Sequence, residues 1–306
     1  MVDNGENYLY ELEMLLKSSS ANSETHFIFG SVSNEIKMEA IFKKHQPNLV
    51  FHAAAHKHVP IMEDNIEAAI VNNIQGTKII ADLSSKYETE TFILISTDKV
   101  VYPKSIMGRT KNIAEKYLQS LSSEIKTRFI TVRFGNVLGS NGSVVPLFQR
   151  QIQQGGPVTI THPEMTRFFM LIPEAVQLIL QATTFDSRRE VFLLDMGKPV
   201  RIMELAEHMI KLAGYITGKD IEIIYTGIRP GEKLHEKLIN GQEGLVETNH
   251  KKIRLVRSQN ILHKNFHLRV NELLGSVHKE NSEKLKHLLR QLSEDPSYTK
   301  KPVSVS

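Results

Sequence analysis

Three short runs in the first half of the chain, Leu49–Ala54, Thr91–Ile95 and Phe129–Phe134, are apolar without the in–out alternation of a half-buried strand. Strands of that texture belong in a sheet that helices cover on both faces, which is the setting of parallel sheets. The intervening stretches carry apolar residues at helical spacing. Examples are Leu9, Leu12, Leu15 and Leu16, then Ile36, Met38, Ile41 and Phe42 within Asn34–His45, followed by Ile66–Ser85 and Asn112–Leu121. His26–Val32 reads as a further strand. Alternation with short connections predicts an α/β fold, a Rossmann-like doubly wound parallel sheet.

Beyond Gly139 glycine and proline punctuate more often and the elements shorten. Val144–Gln153, Pro173–Thr183 and Ile202–Ala213 read as helices, and Val158–Thr161, Val191–Asp195 and Glu222–Tyr225 as strands. The expected division is a dinucleotide-binding region over 1–139, a smaller C-terminal substrate lobe over 140–257 interleaved with the sheet, and a polar tail over 258–306. In the tail, Leu285, Leu288, Leu289 and Leu292 suggest one amphipathic helix, and Ser293–Ser306 should fray.

A length of 306 residues is enough for one large core. The formal charge of +4 is a mild excess that does not call for nucleic acid, and an anionic small substrate accounts for a few clustered bases equally well. Without cysteine there are no disulfides and no thiolate metal sites. No run of 18 apolar residues occurs, and a cytoplasmic location without a membrane segment is the expectation.

Chemistry concentrates after Thr91–Ile95, where Ser96-Thr97-Asp98-Lys99 places an acid and an amine at the C-terminal end of a strand. A second lysine, Lys111, follows one helix start later. Open α/β sheets bind ligands at that edge. Neighbouring side chains on a strand point to opposite faces, so Asp98 and Lys99 can act together only if the backbone leaves strand geometry. Tyr102-Pro103 downstream agrees with a loop. The bland alternatives are an exposed Asp-Lys turn and a solvated Lys111. His52 and His56 are four residues apart, which would align metal ligands on a helix, but this stretch reads as strand, so no metal site is expected. Gly76, inside a helical pattern where glycine costs about 1 kcal/mol against alanine, is expected to allow close packing. For Arg167 and Arg229 the choice lies between surface ion pairs and a diphosphate, which the planar guanidinium fork suits.

Thr97-Asp98-Lys99 with Met107-Gly108-Arg109-Thr110-Lys111, Val71-Asn72-Asn73-Ile74-Gln75-Gly76-Thr77, Arg133–Gly139, Thr161–Phe169 and Arg229–Leu234 occur in the order found in extended short-chain dehydrogenases/reductases, which this chain resembles. A tyrosine usually stands where Met107 is. Methionine there, with Thr-Asp-Lys, narrows the resemblance to CapD-type polysaccharide biosynthesis proteins, whose characterised relatives are UDP-N-acetylglucosamine 4,6-dehydratases. That resemblance implies oxidation at C4 of a UDP-sugar, elimination of water across C5 and C6, and return of hydride to C6, with NAD or NADP regenerated in each cycle. It implies Lys99 as base, Asp98 as acid, Thr97 as a sugar hydrogen bond, Met107 in the tyrosine's place and Lys111 on the nicotinamide ribose. It puts Asp3, Ala53, Ala54, Ala55, Asn73, Ser96, Phe134 and Asn136 by the cofactor, with one asparagine of the Asn-Asn pair bracing the active-site strand. Lys57, His58, Asn136, Arg167, Arg229 and Glu232 fall by the substrate. Two other readings stay open: a non-catalytic remnant that binds UDP-sugar or a partner protein, and a nucleotide-sugar 4-epimerase.

The family opens with a strand and a glycine-rich turn that cradles the pyrophosphate. Before Gly30 this sequence has only Gly5, and Met1-Val2-Asp3 reads as the tail of the second strand. Ser31 stands where the family usually has an aspartate near adenine. The first βα unit is therefore expected to be missing, and in the 3-2-1-4-5-6 order that strand is central. Its apolar side chains correspond to roughly 10 kcal/mol, comparable with a domain's net stability of roughly 5–15 kcal/mol. The chain is expected to fold poorly unless another segment, including one from a separate chain, fills the slot. A homodimer through helices flanking the sheet is a further expectation.

Overall fold

The apolar runs form the middle of a sheet, as their texture requires. The computed structural model describes residues 1–18, 23–122, 124–186, 188–258 and 265–294. Strands in chain order begin with β1 (Val2–Asp3), β2 (Ile28–Phe29), β3 (Leu49–His52), β4 (Thr91–Ile95) and β5 (Arg128–Arg133). Then come β6 (Asn136–Leu138), β7 (Val158–Ile160), β8 (Thr166–Arg167), β9 (Phe169–Leu171) and β10 (Glu190–Leu194). The series ends with β11 (Val200–Arg201), β12 (Ile223–Tyr225), β13 (Glu243–Glu247) and β14 (Ile253–Ser258). The main sheet runs β13-β14-β10-β5-β4-β3. β3, β4, β5 and β10 are parallel, and β14 and β13 add antiparallel strands at one end. Phe92, Ile93 and Leu94 of β4 are fully buried, one face against each of two hydrophobic clusters.

Helices cover both faces. On the first half these are α1 (Glu6–Lys17), α2 (Glu35–His45), α3 (Val59–Asp64), α4 (Ile66–Ile70), α5 (Gly76–Lys86) and α6 (Ile106–Ser120). Asn34 caps α2 through a bond from the Lys37 amide, which fixes the expected helix start. The stretch read as one helix over Ile66–Ser85 is broken by a π-helical turn, Val71–Gln75, that carries Asn72 and Asn73. A Cβ on Gly76 would lie 2.6 Å from Val32 Cγ2, so the glycine allows close approach there.

β1 and β2 pair with each other in parallel and stand apart from the main sheet. Between them and β3 lies a cleft of about 550 Å³ lined by Val2, Ile28, Met38, Phe42, Leu49 and Phe51, among others. Leu49 and Phe51 are each 43% exposed at this outer edge. β3 is thus an edge strand with apolar side chains turned to an open groove.

The second half divides between the sheet and a lobe. β10, β13, β14 and α8 (Ile172–Ala182) belong to the main sheet and its covering layer. What stands out as a lobe is a smaller cluster built by α7 (Val144–Gln153), β7, α9 (Ile202–Leu212) and β12, with Phe148, Ile160 and Ile210 at its centre.

The tail departs most from its polar reading. It forms two helices, α10 (Phe266–Ser276) and α11 (Ser282–Ser293). Phe266, Val270, Leu273, Leu285, Leu289 and Leu292 enter the same cluster as α4, α5 and α6. Three of the four expected leucines are buried, and Leu288 is only partly buried. The reading of Ser293–Ser306 as frayed lies, past Glu294, outside the described residues. This hairpin packs on α6. No helix among the described residues is long and apolar enough to cross a membrane.

Because Leu289 is fully buried, Leu289→Ala should cost about 2–5 kcal/mol. The loss would appear as a lower urea midpoint in a single cooperative transition. A separate early transition would show instead that the hairpin folds apart from the sheet.

Candidate active site

At Ile95 the backbone leaves β4 and winds into a short 3₁₀ turn, Asp98–Val100. Thr97 caps this turn, its hydroxyl accepting from the Lys99 amide at 3.4 Å. The departure from strand geometry brings two adjacent side chains together. Lys99 Nζ donates to Asp98 Oδ1 at 2.9 Å and to Asn136 Oδ1 at 3.1 Å. The Thr97 hydroxyl donates to the same Asp98 oxygen at 2.9 Å. Asp98 is fully buried, and its Oδ2 has no hydrogen-bond partner among the described residues. A buried carboxylate oxygen without a partner is costly, so Asp98 is held as one half of an ion pair.

Helix α6 starts beside this turn. Ser105 caps it, accepting from the Gly108 amide. A Cβ on Gly108 would stand 2.6 Å from the Lys99 carbonyl oxygen, so the helix approaches the turn closely only because that residue has no side chain. Met107 and Lys111 lie four residues apart on one face of α6, and both are buried. Lys111 Nζ donates to the Ile95 carbonyl at 2.7 Å. Burial drives its pKa down to about 8, with Glu115 opposing.

Two cavities meet at Lys99. One, of about 370 Å³, is lined by Ala53, Ala55, Ser96, Thr97, Met107, Lys111 and Phe134, together with Lys57, His58, Lys99 and Asn136. The other, of about 220 Å³, shares Lys57, His58, Lys99 and Asn136 and adds Arg167, Glu232, Lys233 and Glu236. Both cavities are therefore lined by residues from the C-terminal edge of the sheet and from the second half of the chain. Arg167 is buried and donates to the Thr166 and Leu234 carbonyls. Lys57 donates to the Asn141 carbonyl, and burial lowers its pKa.

The remaining candidate residues are each held by contacts of their own. Asn73 is fully buried and its amide is engaged by the His56 backbone and the Thr110 hydroxyl, so it braces the loop after β3 against α6 and does not line the cavities. The Ser96 hydroxyl donates to Glu115, which Arg133 also grips, at 2.7 Å from its NH2, while Arg133 NH1 reaches Glu243 at 2.8 Å. Ala54 and Asp3 line the cleft beside β1 and β2 instead, and Asp3 Oδ1 accepts from the Gly5 amide. Ala53 lines both that cleft and the Lys111 cavity, which makes the two adjoin. Arg229 is exposed and lines neither active-site cavity, whereas Glu232 turns back to accept from the Arg229 amide at 3.3 Å. His52 is buried on the Thr77 hydroxyl, with its pKa lowered to about 3 by burial and then by Lys111. The sequence reading does not single out Lys233, which lies inside the Arg229–Leu234 motif, and misses Glu236, two residues beyond it, which no pattern marks.

A parallel sheet covered by helices, with this turn and helix at its C-terminal edge, is the fold of the extended short-chain dehydrogenases. Solved structures of the same fold include nucleotide-sugar dehydratases and epimerases with NAD bound, at identities that establish the fold alone. Residues 1–258 match the family described as polysaccharide biosynthesis protein, and the chain belongs to it. It is 48% identical over 79% of its length to the probable polysaccharide biosynthesis protein EpsC of Bacillus subtilis. It is 46% identical over 92% of its length to the capsular polysaccharide biosynthesis protein CapD of Staphylococcus aureus. The chain spans less than half of these two relatives, 41% of EpsC and 47% of CapD. Among solved structures, Pen from Bacillus thuringiensis superposes with a TM-score of 0.75 at 27% identity, covering 86% of this chain and 80% of that one.

Lys111 supplies a pH test. Its amine releases its proton near pH 8 in the folded chain but near 10.5 when unfolded. Across that window the unfolded chain holds the extra proton, so the Lys111 contribution makes stability rise with pH. Urea midpoints of Lys111→Met relative to the parent should lose this rise between pH 8 and 10.5, and a parallel pH dependence in both proteins would contradict the assignment.

Proposed function

We propose that this chain is a nucleotide-sugar 4,6-dehydratase unit acting on a UDP-N-acetylhexosamine, with NAD or NADP as its cofactor. The observation that carries this reading is the Asp98–Lys99 ion pair at the junction of the two cavities, with Met107 in place of a phenol. A thioether cannot exchange a proton, so protons at this edge must be handled by the carboxyl, amine and hydroxyl groups of the Thr97–Lys99 turn.

The residues fit the nicotinamide half of a dinucleotide. Ala53 and Ala55 leave the backbone open to a flat ring, and Lys111 places its amine at the floor of the same cavity. The adjoining cleft continues past Ala53 towards Asp3, in line with a cofactor's adenosine end. Bound NAD(P) supplies a reversible hydride acceptor, so that hydride removed at C4 returns at C6 and the net change is loss of one water.

The protein's own groups divide the proton work. Lys99 opens to both cavities and takes the proton from C5. Asp98 has no surface in either, so its proton reaches the departing C6 hydroxyl through Thr97, which touches both Asp98 and the cavity. Arg167, Lys57 and His58 surround the smaller cavity with positive or hydrogen-bonding groups suited to a diphosphate.

NMR of the products formed from UDP-N-acetylglucosamine and NAD(P) tests this reading. A 6-methyl signal with a 4-keto group is expected. An inverted C4 hydroxyl with an intact 6-hydroxyl would replace it with the epimerase reading, and nucleotide-sugar binding without any product would replace it with a non-catalytic one. Asp98→Asn and Lys99→Met should each lower turnover by about 10²–10⁴-fold. Near-parent turnover in either variant would reject the assigned roles.

A further inference from the structure

One carboxylate beside Lys99 has no part in the scheme above. The Glu236 side chain is 4% exposed and lines the smaller cavity with Lys99, Asn136 and Arg167. Its Oε2 accepts from Lys233 Nζ at 2.9 Å, and its Oε1 stands 3.9 Å from Lys99 Nζ. The Lys99 amine is thus faced by three oxygens, from Asp98, Asn136 and Glu236.

The segment that carries Glu236 is fastened to the turn that carries Lys99. Lys233 Nζ also donates to the Val101 carbonyl at 2.7 Å. The Tyr102 hydroxyl accepts from the Gly241 amide at 2.7 Å, and Tyr102 itself is at φ +46°, a left-handed backbone that a tyrosine keeps only when its surroundings hold it. The distance from Glu236 to Lys99 is therefore set by two ties between the second half of the chain and the catalytic turn. The Glu236 oxygen that Lys233 does not hold is the one that faces Lys99.

We propose that Glu236 is a positioning residue for Lys99, holding its amine in place while Asp98 carries the proton. This rests on the dehydratase reading. Before elimination, Lys99 passes a proton to Asp98 Oδ1 across their 2.9 Å hydrogen bond. One N–H bond breaks, one O–H bond forms, and both charges disappear. The neutral amine then loses its ionic hold on Asp98. Its new lone pair at first faces the Asp98 O–H; a turn about the Cε–Nζ bond, favoured by Asn136 accepting one hydrogen and by the Glu236 carboxylate drawing the other across 3.9 Å, brings the lone pair round to C5. After elimination Lys99 is an ammonium again, flanked by two carboxylates; as C6 regains its hydride, Lys99 returns the proton to C5, and the neutral amine then takes from solvent the proton that the C4 hydroxyl released on oxidation, so the cycle can repeat.

Glu236→Gln keeps the size of the side chain and an oxygen for Lys233 but removes the charge, and Glu236→Asp restores the charge. Two readouts separate the inference from the reaction it rests on. The first is the acetylation rate of Lys99 by acetic anhydride at neutral pH, followed by peptide mass spectrometry, with the exposed Lys17 as internal reference. Loss of the nearby anion should raise the Lys99 rate about threefold or more in Glu236→Gln, with Lys17 unchanged and Glu236→Asp close to the parent. The second is turnover: kcat should fall about tenfold in Glu236→Gln with KM little altered, and recover in part in Glu236→Asp. If the parent shows no dehydration, the functional reading fails, while the acetylation ratio still tests Glu236. An unchanged Lys99 rate in Glu236→Gln, or a rise shared by Lys17, overturns the inference.

Discussion

The point on which the site depends is the break in backbone geometry after Ile95. While β4 continues, its side chains alternate between two apolar clusters, and an acid next to an amine would put one of them into hydrocarbon. The 3₁₀ turn removes that conflict by placing both groups at the sheet's C-terminal edge. The turn is in turn fixed by its surroundings. The Asp98 amide donates to the Phe134 carbonyl, Gly108 lets α6 press against the Lys99 carbonyl, and Lys233 binds the Val101 carbonyl. Three separate parts of the chain therefore determine where one ion pair sits.

Much of the frame is visible in the sequence because its signals are local. Uninterrupted apolar runs mark β3, β4 and β5, and Asn34 marks the start of α2. The requirement that the chain leave strand geometry at Asp98 follows from strand stereochemistry alone. The expectations that needed long-range information fared differently. The second half reads as a lobe interleaved with the sheet, but which of its strands join the sheet is not written locally, because the partners of β10 in β5 and β14 lie some sixty residues away. The leucine spacing marks α11, but the polar texture of 258–306 hides α10 and the packing of both helices on α6, since a hairpin packed on one side needs only one apolar stripe per helix.

The candidate site was legible to a similar depth. Thr97, Lys99, Met107, Lys111, Phe134 and Asn136 line one cavity, at the ends of neighbouring strands and on the helix that starts beside them. Arg229 does not join them, because the loop after β12 turns its side chain outwards, and Asn73 is held inside by the loop it braces. Glu236 could not have been singled out from sequence. A lone glutamate in a charged loop is ordinarily a solvated one, and only tertiary contact with Lys99 distinguishes it.

Helix α6 links the site to the end of the described chain. Met107 and Lys111 face the cavity, and on the same helix Arg109 and Lys116 reach the C-terminal end of α11, through the Ser293 hydroxyl and carbonyl and the Glu294 carboxylate. Lys116 is itself buried, so its bond to a helix-terminal carbonyl satisfies both a cation and an acceptor that the end of α11 would otherwise leave unpaired. The buried Arg133–Glu115 pair ties the same helix to β5, and Glu115 holds the Ser96 hydroxyl on the active-site strand. Ion pairs of this kind add little net stability compared with apolar packing, but breaking one strands a buried charge. Their effect is therefore to fix the register of α6 between the sheet and the C-terminal hairpin. A helix free to slide by one residue would carry Lys111 off the Ile95 carbonyl and Gly108 off the Lys99 turn together, so the geometry of the cavity rests on this register as much as on the residues that line it.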